Sequence, residues 1–168
     1  MRKRQRKALY NVMFPLWMLI WFPSWLWFAL IPANYLIDQA VLWWSLGNVD
    51  ERQTFCRKHT WKICLAGFAA DFVGSLLLLG AYLLFSSFNS GWAHDIVFSL
   101  GFNPFSNVVG FLVTAVAIAL SGFCIYVLDL RIIQKAGLAD TQARRSAILL
   151  AILTAPHLFL FPSGLLYQ

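Results

Sequence analysis

The chain has 168 residues, of which 60% are hydrophobic and 17% aromatic, while only 12% are charged. A soluble domain carries about a quarter charged residues, so half of the polar surface such a domain needs is missing. Uncharged runs such as Ala8–Ile37, Phe72–Ala93 and Ile96–Leu128 exceed the roughly 18–20 residues that cross a hydrocarbon core, and the composition reads as an all-α polytopic membrane protein.

The first nine residues, opening MRKRQRK, are followed by an apolar stretch in the outline of a signal peptide. That stretch is too long for an ordinary signal core, and no convincing cleavage site follows it. It reads as a retained, basic, cytoplasmic N-terminus. The thirteen Lys and Arg residues fall into three groups: Arg2–Lys7, Arg52–Lys62 and Arg131–Arg145. Short basic segments stay on the cytoplasmic side, so all three are expected inside. The connection Ser86–Asn107 and the C-terminus, which carry no basic residue, are expected outside.

With Lys7 and Arg52 on one side, the apolar residues 10–47 must enter and leave by the same face. The expectation is a helical hairpin bending at Pro32, since proline lacks the backbone donor and restricts the residue before it. Its arms are Tyr10–Ile31 and Asn34–Leu46, with Asn34 capping the second. At about 1.5 Å per residue the second arm is only about 20 Å long, which favours a re-entrant hairpin over two full crossings.

Transmembrane helices are then expected over 63–85, 104–128 and 146–167. Asn103-Pro104 offers an N-cap followed by proline at the first helical position. Trp43, Trp44 and Trp61 are expected at the cytoplasmic interface and Trp92 at the outer one.

Cys56, His59 and Cys64 lie close in sequence, but a closed zinc site takes four ligands and no fourth is at hand. Three cysteines without framework spacing do not suggest disulfides. No metal or cofactor is expected.

Asp38 and Asp71 stand out as ionisable residues within apolar segments. Each lies nine residues, or about 13 Å of helix, from the cytoplasmic end of its segment, and the two segments are consecutive and antiparallel. A carboxylate at membrane depth usually faces a bundle interior, and two brought close share a proton rather than both ionise. Asn34 lies one turn before Asp38, and Gly67, Gly74 and Ser75 flank Asp71. The pair therefore forms a candidate buried polar or ion-binding centre. The competing expectation is structural: each aspartate ties broken backbone or pairs with Arg52, Lys62 or Arg131 reaching in from the interface. His157 follows Pro156, which frees a backbone carbonyl for the imidazole to bond. Gly110, Thr114, Ala117, Ser121 and Cys124 form a small-residue seam on the third segment, suited to close packing within the chain or against a partner.

Three functions fit. One is an accessory or assembly subunit of a membrane complex, oligomerising through Gly67, Gly74, Gly110, Thr114, Ala117 and Ser121. Another is a small oligomeric proton- or cation-linked transporter or channel using Asn34, Asp38 and Asp71, since transporters often build midplane sites on broken helices. The weakest is a membrane-embedded enzyme acting on lipid, because no recognised catalytic motif accompanies the aspartates. Membrane lipids are the expected surroundings, in the plasma membrane, and nucleic acid is not an expected partner.

Overall fold

Arg52–Ser86 is one continuous helix of 35 residues, about 52 Å at 1.5 Å per residue. That is well beyond a hydrocarbon core of about 30 Å, and the surplus is at the start, where Arg52, Arg57, Lys58 and Lys62 lie. The computed structural model describes residues 17–18, 21, 27–47 and 51–163, and among them every regular element is helical. In chain order they are α1 (Trp27–Leu46), α2 (Arg52–Ser86), α3 (Gly91–Phe102), a 3-10 turn at Pro104–Ser106, α4 (Val108–Lys135), α5 (Asp140–Leu153) and a 3-10 turn at His157–Leu160. Three stretches are long and apolar enough to cross a membrane: α2, α4, and Asp140–Leu160, which joins α5 to the turn after it.

Helix α2 and helix α4 form the central pair, and their small residues explain how closely they approach. A Cβ on Gly74 would collide with Ser121 Oγ and the Ala117 carbonyl, so only glycine fits there. The Ser121 hydroxyl donates to the Ala70 carbonyl at 3.1 Å. Gly110, Thr114, Ala117 and Ser121 are all buried along α4, and Gly110 packs on Ser99 of α3 with no room for a side chain. The small-residue seam is therefore occupied within the chain.

Two apolar clusters result. One, at the Arg52 end, gathers Leu42, Leu46, Cys56, Ile63, Ile125, Ile133 and Leu150. The other, at the Ser86 end, gathers Trp17, Leu78, Ile96, Leu100, Ala117 and Phe159. Helix α3 lies over this second cluster and closes that end of the bundle.

Four local expectations are corrected. Pro32 is not a bend: it lies inside α1, which runs unbroken from Trp27. The described residues before α1 also run the wrong way for a rising hairpin arm. Trp17 donates to the Leu100 carbonyl at 2.9 Å and its ring lies 6.3 Å from Tyr82. Trp21 bonds Ser75 and packs on Phe72, and Trp27 stacks on Phe68. Trp17, Trp21 and α1 thus lie along α2 in that order, from its Ser86 half toward Arg52. The rest of the expected first arm lies outside the described residues.

The second correction concerns the start of α4. Asn103 caps only the short turn, accepting from Phe105 N at 3.2 Å, whereas Asn107 caps α4 through Val109 N at 2.8 Å and Gly110 N at 3.3 Å. The third is that α4 continues past Leu128 to Lys135. Last, the C-terminal segment is not one helix from 146 to 167: α5 begins at Asp140 and stops at Leu153. Proline 156 removes the amide that would bond the Ile152 carbonyl.

Candidate polar centre

The register of the central pair places the acidic residues. Ala70 faces Ser121 and Gly74 faces Ala117, so eight residues further along each helix Asp129 falls opposite Lys62–Ile63. On the other side of α2, the Cys64 thiol of that same level faces the Asp38 carboxyl of α1. Asp38 and Asp129 therefore share one depth. Asp71 lies seven residues beyond Cys64, or about 10 Å farther along α2, and all three carboxyls are near enough to interact electrostatically through Asp38.

The centre thus has three aspartates where two were expected, and the expected pair is not at equal depth. All three are buried, with Asp38 2%, Asp71 9% and Asp129 1% exposed. Both carboxyl oxygens of Asp129, Oδ2 of Asp38 and Oδ1 of Asp71 have no hydrogen-bond partner among the described residues. Leaving a buried polar atom unpaired costs about 1–3 kcal/mol, and more when it is charged. An arrangement that keeps four such oxygens is chemically demanding rather than stabilising.

The cations that might have neutralised them are turned away. Arg52 donates to the Gly47 carbonyl at 2.6 Å and lies 3.6 Å above the Trp43 ring. Lys62 sits 5.7 Å from the Trp61 ring, and Arg131 is exposed. These pairings hold the basic side chains at the rim, where the amphipathic indole is favoured.

Helix α5 supplies the fourth wall. Its hydrogen-bond ladder closes where Thr154 N–H donates to the Leu150 carbonyl at 2.8 Å. The Thr154 hydroxyl bonds the same carbonyl at 2.8 Å and faces Asp38. The C-terminal end of a helix carries partial negative charge, so α5 adds to the negative character of the centre. Below it, α5 is tied to α1 by Ser45 and Ser146, whose hydroxyls are 2.8 Å apart, and by Gln142 donating to the Ser45 carbonyl at 2.6 Å.

The remaining candidates are elsewhere. Asn34 is half-buried one turn before Asp38 and makes no hydrogen bond to it among the described residues. Ser75 donates to the Phe72 carbonyl at 2.8 Å and accepts from Trp21, so it anchors the segment before α1. His157 is exposed, and its Nε2 pairs at 2.9 Å with the Ile152 carbonyl, the one that Pro156 leaves without an amide. No group of three His, Cys, Asp or Glu side chains among the described residues could hold a metal ion.

Asp129 was the residue that sequence reasoning missed, because Arg131 and Lys135 after it suggested that the helix had already left the membrane. The signal was nonetheless present. Continuing the Gly110, Thr114, Ala117, Ser121 spacing through Ile125 leads directly to Asp129, and all six positions are buried.

Comparison with protein families, with characterised proteins and with solved structures finds no match to this chain.

Proposed function

We propose that this protein is a small proton-linked membrane transporter or channel, in which Asp38, Asp71 and Asp129 take up and release protons within the bilayer. One observation supports the reading: four carboxyl oxygens from three helices are buried without a hydrogen-bond partner among the described residues. Acidic side chains in such surroundings face a bundle interior and serve ion pathways and proton relays. The spacing favours protons over a larger ion. A metal ion needs several oxygens converging on one point, whereas Asp71 lies about 10 Å along the helix from the level of Asp38 and Asp129. A proton needs only one oxygen at each step. In this reading Asp129 and Asp38 form the station nearer the basic end, Asp71 forms the deeper one, and the basic end faces the cytoplasm.

The accessory-subunit reading leans on a small-residue seam free to meet a partner. Gly74 packs against Ser121 and Ala117 and Gly110 against Ser99 within the chain, whereas Gly67 meets open space, so that reading rests on fewer residues than the sequence offered.

The test is proton flux into liposomes holding the purified protein, followed with an internal pH dye under an imposed potential. Wild type should acidify the lumen faster than empty vesicles, and Asp129→Asn or Asp38→Asn should lower the rate at least about tenfold, a typical scale for removing a group that transfers protons. Wild-type vesicles no faster than empty ones, or correctly folded variants with unchanged rates, would refute the proposal.

A further inference from the structure

Where the end of α1 meets the first turns of α5, Trp44, Thr141, Arg144, Arg145, Ile148 and Leu149 line a cleft of about 540 Å³. Its lining combines two chemistries. Trp44 and Ile148 present large apolar surface, being 64% and 46% exposed, while Arg144 and Arg145, both exposed, add their aliphatic stems to the wall and carry their charges at its edge. It is a shallow, open cleft, and the Ser45–Ser146 and Gln142–Ser45 hydrogen bonds hold the two helices that form its sides together.

We infer that this cleft binds one anionic phospholipid, its phosphate held by Arg144 and Arg145 and an acyl chain lying along Ile148, Leu149 and the Trp44 ring. Charge complementarity selects the occupant. Guanidinium groups bind phosphate through parallel hydrogen bonds, and basic pockets between helices at the cytoplasmic side of a membrane are suited to acidic headgroups. The apolar wall favours a lipid over a free phosphate, which has nothing to place against Ile148 and Trp44. The inference rests on the proposed placement of the basic end at the cytoplasmic membrane surface, but it uses none of the three aspartates, so loss of lipid selectivity and loss of proton flux are separate outcomes.

The experiment is native mass spectrometry of the detergent-purified full chain, titrated with phosphatidylglycerol or with phosphatidylcholine of the same acyl chains. Wild type should retain phosphatidylglycerol preferentially. Arg144→Gln/Arg145→Gln should lose roughly thirtyfold in affinity for it, equivalent to about 1 kcal/mol for each arginine. The control Arg57→Gln/Lys58→Gln removes two exposed charges on α2 and should leave retention unchanged. Both variants alter exposed side chains, and an unchanged elution profile on size exclusion verifies folding. Equal retention of the two lipids, equal losses in the two variants, or displacement by millimolar inorganic phosphate alone would overturn the inference.

Discussion

Replacing Asp129 by leucine should stabilise the protein while abolishing proton flux. Leucine keeps the branching of aspartate at Cγ, so its two methyl groups fall where Oδ1 and Oδ2 stand. Both oxygens are buried without partners among the described residues, and removing them relieves at least about 2 kcal/mol, taking about 1 kcal/mol for each as the lower bound. Two buried methyl groups add about 1.6 kcal/mol. The larger methyl groups must fit beside Ile125 and Ile133 in a tight core, and overpacking returns about 1–3 kcal/mol. The net is a gain of about 0.6–2.6 kcal/mol. For a chain of this length each kcal/mol corresponds to about 2–4 °C in Tm, so the variant should melt about 1–10 °C higher. Intrinsic tryptophan fluorescence during thermal unfolding in detergent measures this directly, with flux measured on the same preparation. A Tm lowered by 4 °C or more would mean that the carboxyl is held by favourable contacts, and the argument from unpaired oxygens would fail.

Gly74→Ala should destabilise by about 1–3 kcal/mol through its collision with Ser121 and Ala117, whereas Gly67→Ala, which meets open space, should change Tm little. Adding Ser121→Gly to Gly74→Ala should recover part of the loss, and additive effects in that double-mutant cycle would contradict the close packing described. In a background without Cys56, Cys64 and Cys124, cysteines at Arg57 and Ala139 should label from one side of sealed vesicles and a cysteine at Gly91 from the other. Labelling of all three from one side would overturn the antiparallel arrangement of crossings. Ser45→Ala leaves the buried Ser146 hydroxyl without its partner and should cost about 1–3 kcal/mol, read as a lower Tm.

The membrane-length helices were legible because lipid imposes a simple length and composition requirement, and α2 and α4 meet it plainly. Their ends were less so. Arg52–Lys62 reads as a loop by charge, yet α2 begins at Arg52, because a helix can leave the bilayer without ending. Pro32 misled for a related reason: proline disfavours a helix locally, and tertiary packing of α1 against α2 and α5 outweighs that preference. Asp38 and Asp71 could be singled out by depth alone, but depth along each segment said nothing of how the segments register. That register depends on the approach of Gly74 to Ser121, a contact between residues 47 positions apart. The same contact brings Asp129 to the level of Asp38, which no single segment could reveal.

The corner at Thr154–Pro156 has a mechanical consequence. Leu150 belongs to the apolar cluster at the basic end and Phe159 to the cluster at the other, so a few residues of chain pass from one cluster to the other alongside α2 and α4. Over those residues the helical ladder is already interrupted, and the Ile152 carbonyl is satisfied by the His157 ring rather than by backbone. Because α2 and α4 run unbroken through both clusters, the corner does not let one cluster turn against the other; it lets the chain change direction there without breaking an α-helical hydrogen bond. The short turn after Pro156 thus takes its place in the second cluster independently of the α5 ladder, while Thr154, which faces Asp38, closes that ladder beside the acidic centre.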